Sequence, residues 1–259
     1  MSEKKPALWL RIYSLLVYGF IYAPILILII FSFNTQKLNI RWEGFTFDWY
    51  KVLFADEQIF LATRNTLMIA FISTLVATII GTMAALAMHR YRFPFYSVSE
   101  TVMYIPIVIP EVVMGISLLV FFVMIKFTLG LTTITLSHIA FNIPFVALVV
   151  RARLHGYDKA IDEAAMDLGA NELTTFWRVT LPTIMPGVLS GAMLALTLSL
   201  DDYVITYFTA GPGSTTLPLR VFSMVKTAVT PEINALSTIW VLIIFVLLVI
   251  GQVAQRKKV

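Results

Sequence analysis

Thr66–Met88 reads TLMIAFISTLVATIIGTMAALAM, 23 residues without one Asp, Glu, Lys, Arg or His. At 1.5 Å of rise per residue, a helix of this length crosses a hydrocarbon core about 30 Å thick. Five further stretches read the same way: about Ile12–Phe33, Thr101–Ile125, Leu131–Val150, Ile184–Phe208 and Leu236–Gln252. The runs are continuous rather than alternating, which predicts helices and excludes a β-barrel. The expected fold is therefore an all-α integral membrane protein with six spans in a single domain, residues 1–259.

Composition agrees. Of 259 residues, 59% are hydrophobic and 13% charged, with a mean hydropathy of +0.86. Soluble domains carry about a quarter charged residues. A soluble enzyme, a disordered tail and a nucleic-acid module are excluded. The formal charge of +4 comes from small basic groups between apolar runs, not from a stripe that would track a phosphate backbone. With no cysteine, disulfides and thiolate metal sites are excluded. His89, His138 and His155 lack metal-ligand spacing and read as packing or interface residues.

Orientation follows from lysine and arginine. Lys4, Lys5, Arg11, Arg90, Arg92, Arg151, Arg153, Lys159, Arg178, Arg256, Lys257 and Lys258 lie on one side of the spans. Lys37, Arg41, Lys51, Arg64, Lys126, Arg220 and Lys226 lie on the other. Twelve against seven places both termini in the cytoplasm. The first span is longer than a signal-peptide core and has no small-x-small cleavage site after it, so it reads as an uncleaved anchor. Trp42, Trp49 and Tyr50 fall in the first external segment, where amphipathic rings suit an interface.

Prolines 24, 106, 110, 144 and 186 each remove an amide donor within a span. Most read as kinks. Pro106 and Pro110 lie one turn apart, which points to local unwinding near Glu111. Gly81, Ala84, Ala85, Gly187, Gly191 and Ala195 permit close helix approach.

The stretch 151–183 is too polar to span. Asp158 and Asn171 are positioned as helix caps. Asp162 and Glu163 sit near the positive end of the first helix. Gly169 stands where a left-handed stop is needed, and Pro182 is expected to close the second helix. The loop is therefore expected to fold as a helix–turn–helix, with Ala164 and Ala165 forming a low-profile face.

Glu163-Ala164-Ala165, Gly169 and Val179-x-Leu181-Pro182 together resemble the EAA loop of ABC-importer permeases. That resemblance implies a coupling surface of Glu163, Ala164, Ala165, Asp167, Gly169, Leu181 and Pro182, docked on a cytoplasmic ATPase dimer. Trp42-Glu43-Gly44-Phe45-Thr46, Trp49-Tyr50, Leu198-Ser-Leu-Asp201-Asp202, Gly211–Pro218 and Pro231–Leu236 extend the likeness over nearly the whole chain. They are similar to the spermidine/putrescine permease subunits, the C-type above all. The family implies a second homologous permease subunit, an external polyamine-binding protein and a bacterial inner-membrane location. It implies no cofactor on this chain. ATP and Mg²⁺ belong to the partner, and this sequence lacks Gly-x-x-x-x-Gly-Lys-Ser/Thr.

Three carboxylates, Glu111, Asp201 and Asp202, fall within spans, where each costs roughly 2.5–3.5 kcal/mol at mid-depth. No lysine or arginine lies at their depth, so a cationic substrate is the expected partner, with Tyr203 and Tyr207 near enough for cation–π contact. On unbroken helices, Asp201 lies roughly 10 Å and Glu111 roughly 20 Å from the external end. Two other roles stand beside this one. Glu111 follows Pro110 and suits the first turn of a restarted helix. Asp202 shares a face with Ser199, Thr206 and Thr209 and suits a structural hydrogen bond. Alternatives to a polyamine permease are an ABC permease for iron or an anion, a cation-coupled secondary transporter, and, more remotely, a membrane enzyme.

Overall fold

The computed structural model describes residues 8–37, 40–91, 94–227 and 230–256, without the side chains of residue 244 and residues 247–256. Lys4, Lys5, Arg92, Lys257 and Lys258 lie outside the described residues, and so does the side chain of Arg256. Every regular element among the described residues is helical, apart from an isolated bridge between Asn34 and Phe45. The chain forms two compact units, residues 1–60 with 221–259, and residues 61–220.

In the first unit, α1 (Leu8–Phe31) and α2 (Asp48–Ala55) pack against α12 (Pro231–Arg256). No residue of α1 is buried, as expected of an apolar rod surrounded by lipid. The segment after α1 is locked locally. Asn34 Nδ2 donates to the Arg41 carbonyl at 2.7 Å, and Trp49 Nε1 donates to the Asn34 carbonyl at 2.7 Å. Phe33, Phe45, Phe47 and Tyr50 form a ring cluster with centroids 5.0–6.2 Å apart.

The second unit runs from α3 (Glu57–Arg90) through α4 (Tyr96–Val108), α5 (Glu111–Met124), α6 (Leu131–Leu154), α7 (Ala160–Asp167), α8 (Glu172–Thr175), α9 (Leu181–Asp201) and α10 (Val204–Thr209). A further helix, α11, covers Leu217–Thr227. The core joins α3, α6 and α9 through Ala85, Leu86, Val146, Val150, Leu154, Ile184, Val188 and Ala195. The small residues do what their spacing suggests. A Cβ on Gly81 would meet the Ile143 carbonyl at 2.9 Å, and one on Gly187 would meet Arg153 Cβ at 2.6 Å.

Among the described residues, four helices are long and apolar enough to cross a membrane: α1, α3, α6 and the continuous Glu172–Asp201 rod; α4 and α5 would add a fifth if taken together. Two expected spans are broken rather than continuous helices. The stretch 101–125 is not one rod: α4 ends at Val108, α5 begins at Glu111, and the pair is bent by 110°. Pro110 lacks the amide that would continue the ladder, and it sits as the residue before α5 with extended ψ of 134°. Pro24, Pro106, Pro144 and Pro186 stay inside continuous helices. The stretch 184–208 is likewise broken: α9 stops at Asp201, and Asp202 has an extended ψ of 118°. The depth estimates for Glu111 and Asp201, which assume unbroken helices, fall with these breaks.

The 151–183 segment is a helical hairpin. Asp158 Oδ1 accepts the Ala160 amide at 2.9 Å, and Asn171 Oδ1 accepts the Thr174 amide at 2.8 Å. Gly169 adopts φ +91°, the left-handed stop. Pro182 does not end the second helix. A π-turn over Phe176–Thr180 precedes it, and the chain continues as α9 with Pro182 at its start. The widened turn and the early position accommodate the missing amide.

Candidate functional site

The break between α9 and α10 is the centre of a buried polar network. Asp202 is 9% exposed and caps α10: Oδ1 accepts the Ile205 amide at 3.2 Å, and Oδ2 accepts the Thr206 amide at 2.8 Å and the Thr206 hydroxyl at 2.7 Å. From α6, His138 Nε2 lies 3.1 Å from the same Oδ2 and 2.9 Å from Thr206 Oγ1. Its Nδ1 lies 2.7 Å from Ser199 Oγ in the last turn of α9, and Ser199 pairs with Ser73 of α3 at 3.1 Å. The gap these groups line with Thr66 and Ile69 has no room for a water molecule.

The three intramembrane acids therefore separate. Asp202 is sealed in hydrogen bonds. Asp201, its neighbour, is exposed at the end of α9, and Glu111 is exposed in the first turn of α5. They are not independent, because α5 packs on α10. Gly115 brings α5 close, since a Cβ there would meet the Phe208 ring at 2.7 Å. Tyr203 and Tyr207 stand with ring centroids 5.7 Å apart, and Tyr207 is 58% exposed.

At the opposite end of α3, a second network fixes the hairpin. Arg90 Nη2 lies 2.6 Å from Asp162 Oδ2 and 3.0 Å from Thr180 Oγ1. Thr180 and Tyr157 both donate to Asp162 Oδ1. Burial pushes the Asp162 carboxyl upward, but the bonds from Tyr157 and Thr180 and the nearby Arg90 charge prevail and hold it below its ordinary value. On α6, Arg151 pairs with Glu100 and donates to the Tyr104 hydroxyl at 2.9 Å.

Of the coupling residues named from sequence, Glu163, Ala164, Asp167, Gly169 and Pro182 are exposed, while Ala165 and Leu181 are half-buried. Around them the hairpin exposes Leu168 (90%), Leu173 (68%) and Trp177 (60%). Three large apolar side chains are thus left in the open on a segment too polar to span.

Sequence reasoning missed His138 and the Arg90–Asp162–Thr180 clamp. A lone histidine in an apolar span, 64 residues before an unpaired Asp, was the available signal for the first. For the second, nothing in the spacing joins positions 90 and 162.

Residues 77–257 match the family described as binding-protein-dependent transport system inner membrane component. The chain belongs to this family. A spermidine/putrescine transport system permease protein, PotC, of Haemophilus influenzae is 40% identical over 95% of this chain and 96% of its own length. A putrescine transport system permease protein, PotI, of Escherichia coli is 44% identical over 89% and 85%. This family member also matches permease folds. It aligns with a chain of a bacterial alginate ABC transporter bound to a periplasmic protein at a TM-score of 0.72, with 19% identity over 94% and 91%. It aligns with a chain of the MetNI methionine ABC transporter at 0.62, with 18% identity over 78% and 96%. Homology thus makes it a relative of polyamine permeases with the fold of ABC-importer permeases.

Proposed function

We propose that this chain is one of two membrane-spanning subunits of an ATP-driven polyamine importer in the bacterial cytoplasmic membrane. The observation that carries the reading is the hairpin: an apolar tip outside any span, rigidly tied by Arg90, Asp162 and Thr180 to the ends of two long apolar helices. A partner ATPase dimer that grips Glu163, Ala164, Ala165, Asp167, Gly169, Leu181 and Pro182 would move those helices as levers. Closure of the dimer on ATP and Mg²⁺, both held by the partner, would then drive alternating access.

On this reading residues 1–259 act as one permease domain with six crossings: α1, α3, the bent α4–α5 pair, α6, α9 with α10, and α12. Both termini face the cytoplasm. An external binding protein delivers substrate, and a second homologous subunit completes the pathway. The relatives' names favour spermidine or putrescine. The exposed Glu111 and Asp201, with Tyr203 and Tyr207 beside the break, suit ammonium groups and disfavour an anion. Asp202 enters the pathway only as the group that shapes it.

The test is ATP hydrolysis by the reconstituted complex with its binding protein. Stimulation by spermidine or putrescine, and not by ferric iron or sulfate, is expected. Stimulation by iron or an anion alone would replace the substrate. Uptake by the purified chain with no nucleotide or ATPase would establish a secondary transporter instead. Glu163→Lys should abolish co-purification with the ATPase, and normal assembly would remove the docking role.

A further inference from the structure

We propose that His138 is a positioning residue for the transport site: it staples the two sides of the α9–α10 break and thereby fixes where Asp201 presents its carboxylate. This rests on the importer reading of that site and adds to it a residue with no exposure to substrate.

The geometry is specific. One imidazole reaches both flanks of the break. Nδ1 grips Ser199 on α9, two residues before Asp201, at 2.7 Å. Nε2 grips Asp202 and Thr206, which are the cap and first turn of α10, at 3.1 and 2.9 Å. Asp201 lies between these anchor points and carries the exposed acid. A peptide ψ of 118° at Asp202 leaves the helical ladder, so local backbone hydrogen bonds do not set the angle between α9 and α10. Packing of α5 and α6 on α10 and side-chain bonds across the break set it, and His138 bonds to both sides from a third helix.

The bond directions close without a gap. The Thr206 hydroxyl donates to Asp202 Oδ2, and a carboxylate oxygen only accepts, so Nε2 carries a proton. Nδ1 pairs with Ser199 in either charge state: a bare Nδ1 accepts the Ser199 hydroxyl, and a protonated one donates to its oxygen. Ser199 then passes the remaining bond to Ser73 of α3. The grip does not depend on a proton being gained or lost. His138 is 3% exposed, which removes it from contact with cargo and leaves positioning as its role.

At the far end of α10 the same helix, α6, holds a second point: Thr133 Oγ1 donates to the Thr209 carbonyl at 2.7 Å. With His138 removed, α10 keeps that anchor and loses the one nearest Asp201. The expected effect is a change in the aim of Asp201, not loss of the helix.

The chain has no cysteine, so Asp201→Cys is a unique reporter. The full chain, assembled with its ATPase, second permease and binding protein, is labelled with a cationic thiol reagent with and without His138→Ala. Thr197→Cys, one turn earlier on exposed α9 surface, is the control. We expect His138→Ala to change the Asp201→Cys labelling rate at least threefold, to leave Thr197→Cys unchanged, and to cut spermidine uptake about tenfold in the Asp201 parent. His138→Gln, which restores an amide donor to Asp202, should recover part of both. Equal labelling and equal uptake in His138→Ala would overturn the proposal, as would an equal change at both reporters, which would mean general loosening. If His138→Ala does not accumulate, Ser199→Ala decides, because it cuts the α9 side of the staple and leaves the bonds to Asp202 and Thr206 in place; unchanged Asp201→Cys labelling there is also fatal. Failure of the importer reading is separate: it would show as a parent complex that takes up no polyamine, while the labelling contrast still tests the staple.

Discussion

Arg90 Nη2 and Asp162 Oδ2 lie 2.6 Å apart, joining the last residue of a 34-residue helix to the first turn of a hairpin 72 positions away. Both side chains are largely enclosed, at 29% and 12% exposed, so the pair is screened less than a surface bridge. It makes the hairpin part of the α3 rod and not an appendage of the loop.

Arg90→Ala should therefore free the hairpin without unfolding the spans. It leaves a carboxylate short of its cation and costs about 1–3 kcal/mol locally. Limited proteolysis should cut within 158–180 several-fold faster, and uptake should fall while ATP binding by the partner is unchanged. A hairpin as resistant as the parent would show that Tyr157 and Thr180 suffice.

The same carboxyl predicts a pH effect. Asp162 is held below its ordinary value, so its contribution is full above the unfolded value of about 3.9 and is lost as pH falls through the folded one. Proteolytic resistance of the parent should exceed that of Asp162→Asn at pH 5–7, and the difference should shrink toward pH 3. A difference that grows on acidification would contradict the sign.

Neutralising the exposed acids should separate pathway from scaffold. Glu111→Gln and Asp201→Asn should each lower polyamine uptake about tenfold, roughly 1.4 kcal/mol, with normal amounts of protein in the membrane. Asp202→Asn should instead lower thermal stability, because it disturbs the cap of α10 and the bond to His138. Unchanged uptake in the first two would take them out of the passage.

Two glycine substitutions should differ sharply. A Cβ on Gly211 would meet the Leu129 carbonyl oxygen at 1.9 Å, a backbone clash that no rotamer relieves. Gly169 has open space around it and suffers only from φ +91°. Gly211→Ala should cost several kcal/mol or prevent accumulation. Gly169→Ala should cost about 1 kcal/mol, visible as a small drop in melting temperature. Equal effects would refute the distinction.

Much of the fold is legible from hydropathy because lipid leaves a backbone few choices. Thr66–Met88 lies within α3, and Leu131–Val150 within α6. Asn171 and Gly169 are readable because capping and the left-handed stop are local chemistry. The breaks are less legible. Pro106 and Pro110 signalled one, yet no proline or glycine marks Asp202, where a side-chain cap on α10 and His138 from another helix compete with the ladder. Tertiary partners decide that residue, and a single sequence carries no pairing information between positions 138 and 202. The acids are intermediate: the polar face Asp202 shares with Ser199 and Thr206 pointed to a structural bond, but its partner His138 and the openness of Glu111 and Asp201 emerge only once the helices are packed.

The exposure of Leu168, Leu173 and Trp177 has a consequence for supply. On the importer reading, a copy made in excess of the ATPase that would clasp its hairpin would carry a greasy knob into the aqueous phase. Balanced synthesis of the proposed subunits would then be a requirement of solubility as well as of transport.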